Sequence, residues 1–120
     1  MVKSEARILG LDDGPFDKFR DKDVLVVGTF FMVGSSLDGV LSTLVAVDGD
    51  DSTDKIIALV NKSKFKPQLQ AIMLDGICFG GFNVIDVERL YYALKIPVIV
   101  VMRDYPETEK MREIMKRLGK

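Results

Sequence analysis

The 120-residue chain contains no histidine and only one cysteine. Without histidine, these residues cannot supply a serine–histidine triad, a histidine metal ligand or a histidine general base. The single cysteine, Cys78, cannot form an intramolecular disulfide, which fits a reducing compartment. The longest apolar runs, at residues 25–33 and 96–102, are far too short to cross a bilayer. These absences predict a soluble, cytoplasmic protein with no membrane partner.

Neither sign of charge is in excess, because 17 basic residues face 18 acidic ones and the net charge is −1. This balance argues against the broad basic surface of a typical high-affinity nucleic-acid binder. The bases gather at residues 62–66 and 110–120, and we interpret both runs as solvated helix faces. Since 48% of the residues are apolar, residues 1–120 are expected to form a single domain with its own core.

The hydrophobic pattern predicts an α/β protein with the element order β-β-β-α-β-α-β-α. Strands at residues 6–11, 23–33 and 40–47 come first, and the short loop between the second and third makes them antiparallel neighbours. Right-handed crossovers then place the later strands beside strand one, which predicts a mixed five-stranded sheet in the order 3-2-1-4-5. Asn83 is predicted to cap the second helix. The helix residues expected to be buried are Ile56, Val60, Leu90, Tyr91, Leu94, Met111, Ile114 and Met115.

Aspartates stand where predicted strands end, and ligand sites of such sheets lie beyond the carboxyl ends of the strands. Asp12 and Asp75 follow strands one and four, which are parallel neighbours in this topology, so both are expected in one site. Asp48 or Asp51 is expected to join them. Converging carboxylates repel unless they share a cation such as Mg²⁺ or Mn²⁺, which can activate water for phosphodiester hydrolysis. The alternative is that each Asp-Gly pair only forms a turn.

A glycine-rich segment, Gly80-Gly81-Phe82-Asn83, precedes the second predicted helix. Its backbone N–H groups could bind a phosphate. Its spacing matches neither a dinucleotide fingerprint nor a P-loop, so a tight turn followed by a helix cap is the alternative. Arg103 ends the fifth strand and could also contact a phosphate, or could form a surface ion pair. We therefore take Gly80, Gly81, Asn83 and Arg103 as candidate phosphate or substrate contacts.

Several segments together carry a family resemblance. The most specific are Leu11-Asp12-Asp13-Gly14-Pro15-Phe16 and Gly80-Gly81-Phe82-Asn83, supported by Val47-Asp48-Gly49, Leu74-Asp75-Gly76 and residues 96–103. Over essentially its whole length the chain resembles an archaeal family of uncharacterised proteins related to endonuclease V. The resemblance implies an RNase H-like fold. It also implies that members usually continue beyond the position of Lys120.

By this resemblance, Asp12 and Asp75 match two of the three acids that bind the metal in endonuclease V. The third, a glutamate after strand three, has no exact match, and Asp48 or Asp51 could replace it. The histidine-bearing downstream segment of endonuclease V also has no counterpart in this histidine-free chain. The resemblance implies a metal-dependent nucleic-acid hydrolase using Mg²⁺ or Mn²⁺ on DNA or RNA, or a degenerate relative that keeps the metal site.

Two other functions compete with the nuclease. A receiver-like signalling domain has a similar length and similarly placed aspartates, but it needs a helix between its first two strands and a lysine where Arg103 stands. Residues 13–22 show no helical stripe. A non-catalytic binding module on the same fold is the other alternative. A homodimer is expected if the apolar stripe of the last predicted helix proves exposed.

Overall fold

The computed structural model describes residues 6–32, 37–102, 116–117 and 119. The predicted last helix, with Met111, Ile114 and Met115, lies outside this part of the chain, and so does Arg103. The homodimer prediction, which depends on that helix, therefore stays a prediction. The elements are β1 (Arg7–Asp13), β2 (Asp23–Met32), β3 (Leu37–Ala46), α1 (Ser52–Lys62), a 3₁₀ turn (Lys66–Gln68), β4 (Leu69–Asp75), β5 (Cys78–Phe79), β6 (Asn83–Val84), α2 (Val87–Leu94) and β7 (Val98–Val101).

The main sheet has five strands in the order β3-β2-β1-β4-β7. The strands β1, β2 and β3 form an antiparallel meander, while β4 is parallel to both β1 and β7. Because β7 is the fifth long strand, the predicted order is confirmed. Residues 14–22, between β1 and β2, form a turn and no helix. The helix that a receiver-like domain requires between its first two strands is therefore missing.

The two faces of the sheet are chemically different because side chains alternate along each strand. On one face, Leu9 and Leu11 of β1 are buried together with Phe30 of β2, and the apolar stripes of α1 and α2 pack into the same core. The opposite face is more open, since Leu25 and Leu44 on it are 45% and 51% exposed. Asp12, one residue after Leu11, belongs to this open face. None of the helices formed by the described residues is long and apolar enough to cross a membrane.

The helices confirm most of the predicted stripe, since Ile56, Val60, Leu90 and Leu94 are all buried. Tyr91 was predicted to join them, and this was wrong because its side chain is 43% exposed. Each helical residue advances about 100° around the axis. In a helix of eight residues, Leu90 and Leu94 already define the buried line, and Tyr91 lies to its side.

The start of the second helix was also predicted wrongly. Helix α2 begins at Val87, and its cap is Asp86, whose carboxylate accepts a hydrogen bond from the backbone N–H of Arg89 at 3.0 Å. Asn83 instead lies in β6, which pairs with β5 in a small antiparallel hairpin. Two-residue strands are too short to produce an alternating pattern, so this hairpin could not be predicted.

Candidate functional site

Strands β1 and β4 bring Asp12 and Asp75 to the same edge of the sheet. Their parallel register pairs Leu11 with Leu74, so Asp12 and Asp75 are the next residues along two strands that lie about 4.8 Å apart. Both residues line a cavity of about 460 Å³ on the open face of the sheet. Its wall also includes Gly10, Val27, Thr29, Met73 and Val101. The structure therefore brings together the two acids that the sequence placed first.

The surroundings of Asp12 disfavour its negative charge. The pKa of Asp12 is raised above its ordinary value, first by loss of solvent, then by a side-chain hydrogen bond with Asp13 and by the charge of Asp75. The backbone N–H of Asp13, which donates to Asp12 Oδ1 at 2.9 Å, acts in the opposite direction. A cation between two such carboxylates would relieve their mutual repulsion. Asp12 and Asp75 are thus the residues that could hold a metal ion.

Asp13 also lines the cavity, and its side chain is hydrogen-bonded to that of Asp12. Its Oδ2 atom accepts a hydrogen bond from the backbone N–H of Gly80 at 2.9 Å. This bond ties the end of β1 to the tip of the β5–β6 hairpin. Sequence reasoning missed this contact, because alternation along a strand leads one to expect only one of two adjacent residues on a given face, whereas both aspartates line the cavity.

Asp48 and Asp51 also hold the hairpin. Asp48 Oδ1 accepts a hydrogen bond from the backbone N–H of Phe82 at 2.8 Å, and the Asp48 N–H donates to Gly80 O, also at 2.8 Å. Asp51 Oδ1 accepts from Asn83 Nδ2 at 2.7 Å and from the backbone N–H of Ala46 at 3.0 Å. Burial acts to raise the pKa of Asp51, but these two hydrogen bonds outweigh it and the pKa is lowered.

The structure therefore does not bring Asp48 or Asp51 into the cavity with Asp12 and Asp75. The reason is topological, because β3 ends two strands away from β1 and its connection leads to α1 on the helix-covered side. Among the described residues, no group of three or more acidic or cysteine side chains is placed to hold a metal ion. Asp13 also lines the cavity, but its Oδ2 atom accepts the N–H of Gly80, so the geometry offers Asp12 and Asp75 as the two carboxylates for an ion.

The glycine-rich segment forms the tip of the hairpin. Gly80 and Gly81 have φ angles of +55° and +84°, which favour glycine. Two of the N–H groups that the sequence offers to a phosphate, those of Gly80 and Phe82, already donate to aspartate carboxylates. Asn83 is fully buried and bonded to its neighbours. The contacts of this segment are thus structural.

Thr29 is a cavity residue that sequence reasoning missed. It pairs with Gly10 across β1 and β2, two residues along the strand from the pair between Asp12 and Val27. Its hydroxyl group belongs to the same face as the Asp12 carboxylate. Its sequence signal is that Thr29 is a polar residue within the apolar strand β2. Alternation along the strands places it on the same face of the sheet as Asp12.

The comparisons with known proteins agree with this geometry. The family described as Endonuclease dU is matched over residues 4–119. A UPF0215 protein of Methanothermobacter thermautotrophicus is 53% identical over 115 residues, which are 96% of this chain and 56% of that relative. The chain thus spans somewhat more than half the length of the curated relatives it matches. These matches confirm the predicted relation to an archaeal family of uncharacterised proteins.

Two solved structures are similar to the chain. One is a crystal structure of a protein of unknown function from Archaeoglobus fulgidus, with a TM-score of 0.85 and 44% identity, covering 93% of this chain and 62% of that one. The other is Ciona intestinalis endonuclease V in complex with a 24mer DNA containing an inosine followed by a ribo-adenosine. Its TM-score is 0.57 at 15% identity, with 96% of this chain and 57% of that one covered. This likeness shows a shared fold, as predicted.

Proposed function

Since the chain belongs to the endonuclease dU family, we propose that it carries the catalytic site of a divalent-metal-dependent endonuclease that hydrolyses phosphodiester bonds in DNA or RNA in the cytoplasm. The observation that supports this most is the pair Asp12 and Asp75, which end adjacent parallel strands and line one cavity. The fold shared with endonuclease V adds support. An isolated pair of turn-forming aspartates would have no reason to face a common cavity.

Asp12 and Asp75 fit Mg²⁺ or Mn²⁺ by the chemistry of their donors. Such ions prefer hard oxygen ligands, and Mg²⁺ is commonly bound through one or two carboxylates together with water and substrate phosphates. The pKa of Asp12 is raised first by loss of solvent, then by the hydrogen bond with Asp13 and by the charge of Asp75, and a bound cation would offset the last of these effects. When bound, the ion supplies water activation and stabilises negative charge on phosphate oxygens.

The remaining residues of the cavity bind and shield the substrate. The Thr29 hydroxyl can donate a hydrogen bond to a phosphate oxygen. Val27, Met73 and Val101 give an apolar wall that limits the access of water. Asp48 and Asp51 are assigned to holding the β5–β6 hairpin, because their carboxylates accept hydrogen bonds from it.

DNA with a deaminated base is the substrate to test first. The description of the family contains dU, and the endonuclease V neighbour was crystallised with DNA containing an inosine. Deoxyuridine and inosine both arise from the deamination of a base. Labelled oligonucleotides with a single deoxyuridine or a single deoxyinosine, in single-stranded and duplex form, therefore test the proposal.

The experiment measures cleavage by gel electrophoresis with Mg²⁺, with Mn²⁺ and with EDTA. Asp75→Asn should reduce cleavage by about a hundredfold or more, because metal ions contribute several kcal/mol to such reactions. Asp23→Asn makes the same chemical change at an exposed position outside the cavity and should cleave normally. Full cleavage by Asp75→Asn would contradict the site. Metal-dependent binding without cleavage in the unmodified chain would favour the non-catalytic module instead.

A further inference from the structure

Phe19 is exposed to an unusual degree for an aromatic residue. Its side chain is 94% exposed, whereas the other six phenylalanines of the chain are all buried or half-buried. It lies in the loop between β1 and β2, residues 14–22. A turn at this position requires no large apolar side chain, since polar residues form turns at least as well. The ring therefore calls for an explanation other than packing within this domain.

The loop is fixed in a way that presents the ring. Asp17 Oδ1 accepts a hydrogen bond from the N–H of Phe19 at 3.0 Å, and Asp21 Oδ2 accepts one from the N–H of Asp17 at 2.7 Å. The carbonyl oxygen of Asp17 also accepts from the N–H groups of Arg20 and Asp21, at 3.2 and 2.8 Å. Because these bonds already define the turn, little conformational entropy remains to be lost when a ligand binds the ring.

The loop leaves the sheet at the same edge as the Asp12–Asp75 cavity. It begins at Gly14, whose N–H donates to Leu25 O at 2.7 Å and which itself lines the cavity. Phe19 follows Asp12 by seven positions, so their Cα atoms lie at most about 25 Å apart. Stacked nucleotides of one strand rise about 3.4 Å each. A strand held at the cavity can therefore reach Phe19 within a few nucleotides.

The charges around the ring suit a phosphate backbone. Lys18 and Lys22 are exposed and form no ion pair within the described part of the chain, and Lys18 Nζ lies over the Phe82 ring, 5.4 Å from its centroid. Arg20 is also exposed and makes only a long contact of 3.7 Å with Asp17. The carboxylates of Asp17 and Asp21, which would repel phosphate, accept N–H groups of the turn itself. Cationic side chains interleaved with an aromatic ring are typical of surfaces that bind single strands.

We infer that Phe19 is a stacking platform for an unpaired base of the nucleic-acid strand whose phosphate lies in the Asp12–Asp75 cavity. The inference rests on the proposed function and adds to it the state of the substrate, a strand unstacked near the cleavage point. Stacking on a ring face accepts any base, so Phe19 contributes affinity and positioning without selecting a sequence.

The test is the binding of a single-stranded DNA 20-mer carrying 2-aminopurine, measured by fluorescence with Ca²⁺, which takes the same kind of oxygen ligands but is not the proposed catalytic ion. Phe19→Ala should weaken binding about 5- to 100-fold, the range that base–aromatic stacks have on alanine substitution. Phe19→Leu keeps apolar volume without a ring face and should bind as weakly, whereas Phe19→Trp should restore affinity and 2-aminopurine quenching. Tyr92→Ala is the matched control, because Tyr92 is 59% exposed but lies on α2, across the sheet from the cavity.

The outcomes separate this inference from the proposed function. If Phe19→Ala binds within twofold of the unmodified chain while metal-dependent cleavage persists, the stacking platform is refuted and the nuclease stands. Equal binding by Phe19→Leu and the unmodified chain would refute stacking as well. If the unmodified chain neither binds nor cleaves any oligonucleotide, both proposals fall. Since Phe19 is exposed, unchanged thermal unfolding of each variant excludes misfolding as the cause.

Discussion

Asn83 offers the sharpest test of how the hairpin is held in place. Its side chain is fully buried and makes three hydrogen bonds. Nδ2 donates to Ala46 O at 2.8 Å and to Asp51 Oδ1 at 2.7 Å, and Oδ1 accepts from the backbone N–H of Ser52 at 3.0 Å. Asn83→Ala removes all three bonds at once. The substitution thus removes the side chain that joins the hairpin to the end of β3 and the start of α1.

The expected loss of stability depends on which hydrogen bonds each partner of Asn83 keeps after the substitution. Ala46 O still accepts from the N–H of Gly49 at 3.1 Å, so its loss is small. The N–H of Ser52 is buried and loses its side-chain acceptor, which costs about 1–3 kcal/mol. The bond to the Asp51 carboxylate is charge-assisted and contributes about 1.5–3 kcal/mol. Together they predict a loss of about 3–5 kcal/mol, a large part of the 5–15 kcal/mol typical of a domain.

Urea unfolding followed by circular dichroism measures this free energy directly. Asn61→Ala is the matched control, because Asn61 makes a single exposed hydrogen bond with Lys66 and lies in α1, where alanine is the better helix former. We expect Asn61→Ala to change the free energy of unfolding by less than about 0.5 kcal/mol. A loss below about 1 kcal/mol for Asn83→Ala, or equal losses for the two variants, would refute this account of the hairpin.

Two further predictions concern the same region. Gly81→Ala would place its Cβ atom 2.4 Å from Asp48 Oδ1, whereas Gly76→Ala at a similar φ meets no atom within 4 Å. Gly81→Ala should therefore lower the free energy of unfolding by at least about 1 kcal/mol more than Gly76→Ala, and equal losses would contradict the contact. The pKa of Asp51 is lower in the folded chain than in the unfolded chain. Its charge therefore stabilises the fold at pH values above the unfolded-state pKa, and this stabilisation is lost as the pH falls through the folded-state pKa. Below about pH 4, the thermal stability of the unmodified chain should fall more steeply with pH than that of Asp51→Asn. Parallel curves of stability against pH for the two proteins would contradict this role of Asp51.

The strand order could be predicted because it depends on local rules. A short loop between β2 and β3 fixes their pairing. Alternation along β1 leads one to expect that only one of two adjacent aspartates faces the cavity, but Asp12 and Asp13 both line it. The register of β1 with β4, which places Asp75 beside Asp12, follows from the two apolar runs that precede these acids. Such features are present in any short window of the sequence.

The roles of Asp48, Asp51 and Asn83 could not be predicted in this way. Their hydrogen bonds join residues more than 30 positions apart, and an Asp-Gly turn has the same sequence whether its carboxylate meets an N–H group or a cation. The β5–β6 hairpin, which supplies those N–H groups, is itself too short to leave a pattern. These long-range hydrogen bonds explain why Asp48 and Asp51 lie outside the candidate site.

The directions of two pKa shifts distinguish the surroundings of Asp51 from those of Asp12. Asp51 accepts two N–H donors, which stabilise its charge and lower its pKa, so a cation would have little to add there. The pKa of Asp12 is raised, first by loss of solvent and also by the charge of Asp75, so a cation would stabilise its charged form. Asp13 connects the two regions, because its bond to Gly80 fixes the end of β1 from which Asp12 projects. Loosening the hairpin should therefore disturb the position of Asp12 through Asp13.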